Sequence, residues 1–136
     1  MSSAPQATKT AVCNCAKVRF TVTGVDQGAV LCHCSNCKKA SGSAFAHNHV
    51  LADATITFAS GADDVTAYPD GNTDSGNVWL RHFCRGCGCP MYLQEPGKES
   101  LIIVNSGVLE GEIMRPGEEL YAKDRLAWMP ALSAES

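Results

Sequence analysis

Apolar and polar residues alternate with a period of two along much of this chain. In residues 18–23 (VRFTVT), Val18, Phe20 and Val22 fall on one side of an extended segment, and Arg19, Thr21 and Thr23 on the other. That period belongs to a half-buried β-strand, because successive strand side chains point to opposite faces. Segments 43–51 (SAFAHNHVL) and 54–59 (ATITFA) repeat it, and Ala29-Val30-Leu31 is a shorter apolar run. Residues 77–83 (NVWLRHF) and Met91-Tyr92-Leu93 read as further strands. The run Leu101-Ile102-Ile103-Val104 is apolar throughout, which predicts a strand covered on both faces. Helical periodicity is nearly absent, with one turn expected at 36–40, opening at Cys37 and stopping near Gly42. Residues 69–76 (PDGNTDSG) read as a loop, and Pro96-Gly97 and Pro116-Gly117 as turns. Residues 1–10 are small and polar and read as a flexible tail. That leaves 11–136 as a single, mainly β domain.

Cysteine usage changes the picture. Seven of the eight cysteines form three knuckles: Cys13-Asn14-Cys15, Cys32-His33-Cys34-Ser35-Asn36-Cys37 and Cys84-Arg85-Gly86-Cys87, with Cys89 two residues beyond the last. Cysteines this close are poorly placed to bridge each other and well placed to share a metal, zinc above all. A disulfide framework would need an oxidising compartment, yet residues 1–10 carry no apolar run of a signal peptide. No stretch approaches the roughly 20 apolar residues of a membrane span. A reducing, cytoplasmic setting is therefore expected. The formal charge of −3 argues against a nucleic-acid partner, which would call for clustered positive charge.

The knuckles differ in kind. In Cys84-Arg85-Gly86-Cys87-Gly88, two glycines can take positive φ and turn backbone N–H groups toward the sulfurs. Cys32, Cys34 and Cys37 can reach one metal from a single loop, leaving a tetrahedral position open as in catalytic zinc sites. Cys13 and Cys15 with Cys84 and Cys87 would then close a structural site. The spacing alone also permits Cys34 and Cys37 to join Cys84 and Cys87, leaving Cys13, Cys15 and Cys32. Cys89 reads either as a fourth ligand of the second site or as a small buried residue. His47 and His49 share a strand face from which either could reach the open site or carry protons. His33 reads as a residue that only packs or meets solvent, Lys38 and Lys39 as candidates for binding the carboxylates of a peptide-like thiol, and Arg81 and Arg85, flanking the third knuckle, as candidates for the same role.

Cys13-x-Cys15 with Val18-Arg19-Phe20, then Cys32-His33-Cys34-Ser35-x-Cys37-Lys38-Lys39 with Gly42, then Phe83-Cys84-x-x-Cys87-Gly88, resemble the glutathione-dependent formaldehyde-activating enzyme family, which includes the centromere protein V group. Gly107-Val108-Leu109-Glu110 and the stretch 123–128 are similar to its C-terminal pattern. The chain departs from that pattern at Ala16, where glycine is usual, and at Cys89, where a small or hydroxylated residue is common. The resemblance implies a β-tent of antiparallel sheets and two zinc ions per chain. A structural zinc would sit on Cys13, Cys15, Cys84 and Cys87, and a catalytic zinc on Cys32, Cys34 and Cys37. It also implies carbon–sulfur lyase chemistry on glutathione adducts, such as formation of S-hydroxymethylglutathione; Lys38 and Lys39, read above as carboxylate binders, would then be the candidates for holding glutathione. The competing reading is a non-catalytic, zinc-stabilised module that binds a protein or chromatin partner.

Overall fold

The structure, a computed structural model, describes residues 5–132. Its elements are β1 (Gln6–Val12), β2 (Arg19–Cys32), α1 (Ser35–Ser41), β3 (Ala46–Ser60), β4 (Val65–Asp70), β5 (Trp79–Cys84), β6 (Pro90–Glu95), β7 (Lys98–Asn105) and β8 (Glu118–Leu120), with short 3₁₀ turns between some of them. The strands form one sheet in the order β1-β2-β3-β7-β6-β5-β4, antiparallel along its length, and β8 adds to β2 in parallel. The fold is mainly β with little helix, as the period-two pattern predicts. Among the described residues, no helix is long and apolar enough to cross a membrane.

The sheet does not lie flat. β2 and β6 stand three strand spacings apart in the order, roughly 14 Å in a flat sheet. Yet the rings of Phe20 on β2 and Tyr92 on β6 meet edge to face with centroids 5.4 Å apart. The sheet therefore folds over, and β3 is where its pairings separate. Asn48–Leu51 pair with β7, whereas the second half of β3 pairs with β2 alone. The change coincides with a bulge at Asp53, whose φ is +48°. Gly24 sits opposite, where a Cβ would come within 2.6 Å of the Ala54 Cβ. The fold encloses a core of Val18, Phe20, Val22, Leu51, Met91, Ile102 and Val104, all essentially inaccessible to solvent.

Four expectations are corrected. Residues 6–10 are not a tail but most of the edge strand β1, in which Ala11 is buried and Ala7 packs on the core. Alanine and threonine fill that strand, so its alternation is too weakly apolar to stand out; residues 1–4 lie outside the described set. Segments 43–51 and 54–59 fall largely in one bulged strand, β3. Pro69 and Asp70 belong to β4 rather than to the following loop, as an edge strand tolerates proline. Finally, 101–104 alternates in burial: Ile102 and Val104 enter the core, while Leu101 and Ile103 are half-buried on the opposite face.

Candidate functional site

Folding the sheet brings the β1–β2 turn against the β5–β6 turn. The Sγ atoms of Cys13, Cys15, Cys84 and Cys87 all lie within 4.8 Å of one another. The Cys13–Cys15 and Cys15–Cys84 separations are 3.6 and 3.7 Å. Four thiolates around zinc, at bonds of about 2.3 Å, form a tetrahedron with edges of about 3.8 Å. Both separations match that edge, so this donor set fits a zinc ion. Backbone geometry supports it: the Val18 N–H donates to Cys13 Sγ at 3.4 Å. Of the two knuckle glycines only Gly88 has positive φ, +75°. The Cys87 thiol is held down at about 6, first by the Cys15 backbone N–H and, against burial, by that of Cys89. Ala16 turns the first knuckle with φ +65°, a left-handed conformation that favours glycine.

The second cluster is local. Cys32 ends β2, Cys34 is the N-cap of α1, and Cys37 lies in its first turn. The Cys37 N–H donates to Cys34 Sγ at 3.3 Å, and Gly42 closes the helix in the left-handed conformation with its N–H on the Lys38 carbonyl. All three sulfurs are buried and lie within 4.8 Å of one another. The Cys32–Cys34 separation is 3.5 Å, close to a zinc-tetrahedron edge. The Cys37 thiol donates to Cys32 Sγ at 2.7 Å, an edge that a zinc ion would widen by about 1 Å. That donation, aided by the Cys34 N–H and opposed by burial, lowers Cys32 to about 6, and Cys37, holding the shared proton, is pushed up. None of the eight cysteines is in a disulfide. Both clusters are compatible with zinc.

The surroundings separate the two clusters. Cross-strand pairing sets Tyr68, Arg81, Leu93, Ile103 and Val50 in a row across β4, β5, β6, β7 and β3, on the face opposite the core. A cavity of about 470 Å³ lies on one side of that row, lined by all three cysteines of the second cluster together with Asp74, Arg81, Glu118 and Tyr121. A second cavity, of about 350 Å³, shares Cys37, Asn48, Arg81, Leu93 and Ile103 with the first. No cysteine of the first cluster lines either cavity. The two adjoining cavities make one trough over that row, and Asp70 joins it to the helix. Its carboxylate accepts from Arg81 Nε at 2.8 Å and from Asn36 Nδ2 at 3.0 Å. Burial would raise its pKa, but Arg81 and Asn36 outweigh that and lower it.

Other residues singled out from the sequence lie elsewhere. Lys38 Nζ donates to the Asp124 carbonyl at 2.9 Å, and neither Lys38 nor Lys39 lines either cavity. His47 Nε2 donates to the Met114 carbonyl, and buried His49 pairs with Asp26 at 2.6 Å. Neither histidine is in the second cluster. Cys89 packs beside the main core near the first cluster, so it is not the fourth ligand of the second. Arg85 hydrogen-bonds the Asp63 carbonyl. Sequence reasoning missed Asp70, Glu119 and Tyr121. Tyr121 packs against the second cluster from a left-handed backbone (φ +54°, ψ +45°), a conformation that no hydrophobic period announces. Non-glycine residues in that region are uncommon and concentrate at functional sites.

The fold has a solved counterpart. A crystal structure of a Rhodobacter sphaeroides protein, a structural-genomics target, is similar with a TM-score of 0.57 and 24% identity, over 76% of this chain and 89% of that one. At that identity the likeness speaks to the fold alone. No curated protein matches the chain. The family described as glutathione-dependent formaldehyde-activating enzyme matches residues 8–124, a span running from β1 past β8 and taking in both clusters. The chain belongs to the glutathione-dependent formaldehyde-activating enzyme family.

Proposed function

We propose that this protein makes and breaks the carbon–sulfur bond of a glutathione–aldehyde adduct, with catalytic zinc on Cys32, Cys34 and Cys37 and structural zinc on Cys13, Cys15, Cys84 and Cys87. The observation that carries the reading is the asymmetry of the clusters. Four sulfurs fasten two turns together away from both cavities, whereas three buried sulfurs line a cavity large enough for a tripeptide. In the family's name-giving direction, the glutathione sulfur adds its electron pair to the aldehyde carbon. The carbonyl π pair moves to oxygen, which ends with the proton the thiol gave up. Zinc bound there would supply a Lewis acid that keeps a thiol ionised near neutral pH.

The chain's own residues supply recognition. Arg81 stands at the cavity wall with its Nε fixed by Asp70, which aims the guanidinium at a substrate carboxylate. Asp74 and Glu118 offer the opposite charge for an α-ammonium group. This mixed lining suits the zwitterionic γ-glutamyl end of glutathione better than a simple anion. It takes over the part expected of Lys38 and Lys39. Tyr121, packed against the sulfurs, offers its phenol as a donor to the oxygen that gains or loses charge.

The test is a calorimetric titration of the zinc-loaded protein with glutathione and with S-methylglutathione. Glutathione should bind at least tenfold more tightly. Equal affinity would mean that the sulfur does not meet the cluster, and the reading would fail.

A further inference from the structure

The cavity beyond Cys37 is oversized for formaldehyde. A one-carbon group is hardly larger than a water molecule, whose share of liquid volume is about 30 Å³, against about 350 Å³ here. We propose that this second cavity is a subsite for an aromatic or similarly flat apolar group on the carbon side of the adduct, so that the aldehyde handled here is an aryl or bulky apolar one. The inference rests on the carbon–sulfur reading above and names its substrate class.

Three observations carry it. The first is charge. Asp74 and Glu118 line only the glutathione-sized cavity, whereas the second has no carboxylate in its wall, where Tyr68, Phe83, Leu93 and Ile103 stand with Arg81, His82, Asn48 and Asn105. The second is position. Cys37 and Arg81 line both cavities, so an adduct with its peptide half in one and its carbon substituent in the other places the C–S bond beside the cluster. The third is Tyr68, a large ring 58% exposed on the edge strand β4, opposite Arg81 in register and so on the trough face. An exposed aromatic face is well suited to stack on a flat ligand group.

The step needs no added reagent. In the hemithioacetal GS–CH(OH)–Ar the C–S bond breaks and its electron pair goes to sulfur. The hydroxyl O–H pair becomes the second bond of C=O, and the hydroxyl proton finishes on sulfur. Glutathione and ArCHO together contain every atom of the adduct.

The zinc-loaded full chain should be titrated with glutathione, S-methylglutathione and S-benzylglutathione. S-benzylglutathione should bind at least tenfold more tightly than the S-methyl form. Ala40→Phe, which fills the cavity from the exposed side of α1, and Tyr68→Ser, on the exposed edge strand, should each bring the S-benzyl affinity down toward the S-methyl value. Equal S-benzyl and S-methyl affinities in a protein that binds glutathione would overturn the subsite, as would a benzyl gain that both variants retain. A protein that binds none of the three would overturn the carbon–sulfur reading, and the subsite with it.

Discussion

His33 Nε2 lies 2.9 Å from Glu119 Oε1. The imidazole sits between two cysteines of the second cluster and is wholly buried. A carboxylate only accepts, so Nε2 carries the proton. Arg125 grips the same carboxylate through Nε and Nη2 at 3.2 and 2.9 Å, and the Leu132 N–H reaches it at 3.0 Å. The His33 backbone N–H adds a bond to the Leu120 carbonyl. The loop that carries three clustered thiols is thus fastened to a segment some ninety residues later in the chain.

That anchor has a pH signature. Arg125, with help from the Leu132 N–H and His33, holds the Glu119 carboxyl at about 2 instead of the ordinary 4.5. A folded-state pKa below the unfolded one means stability that is present above about 4.5 and lost as pH falls toward about 2. The thermal midpoint of the native protein should therefore drop more steeply across that window than the midpoint of Glu119→Gln. Parallel curves for the two proteins would show that the anchor contributes nothing.

Ala16 is a built-in weakness. A left-handed L-residue costs roughly 1–2 kcal/mol, and glycine's extra unfolded-state freedom returns roughly 0.5–1 kcal/mol of that. Ala16→Gly should therefore stabilise the fold by about 0.5–1 kcal/mol, raising the midpoint by roughly 2–4 °C. Denaturant unfolding checks the sign, and a lower midpoint would contradict the account of this turn.

The clusters should differ when broken. The intact protein is expected to hold two zinc ions per chain by elemental analysis. A structural zinc in small domains contributes about 10–16 kcal/mol, comparable to a whole domain's stability of roughly 5–15 kcal/mol. Cys84→Ser weakens a junction between turns about seventy residues apart and should leave the chain unfolded or aggregated. Cys37→Ser touches a site held within one loop and should stay folded with one zinc. If Cys37→Ser unfolds as readily, the second cluster is a fastening and the binding-module reading gains.

Tyr121→Phe keeps the ring that packs on the sulfurs and removes the hydroxyl. Losing one donor to a charged oxygen should lower kcat by roughly a hundredfold to a thousandfold with a smaller change in KM. Exchange NMR of glutathione with its aldehyde adduct reads this rate. An unchanged kcat would leave Tyr121 a packing residue.

The sequence by itself determined the strand character, the knuckles and the presence of thiols able to hold metal. These are local properties: a period of two, a spacing of one or two residues, a glycine at position 42 that ends a helical turn. Two short-range readings still failed. Alanine and threonine hid the period of β1, and four apolar letters at 101–104 concealed that Ile103 faces a cavity while Ile102 faces the core. Only the tertiary structure decided which knuckles share a cluster, because Cys15 and Cys84 meet through the folding of the sheet and not through spacing. It also decided that Arg81, rather than Lys38 or Lys39, stands at the cavity wall, and that Glu119 and Tyr121 attend the second cluster. Those placements follow from cross-strand register and from one left-handed residue, and each is set by contacts between segments that no single stretch of the chain contains.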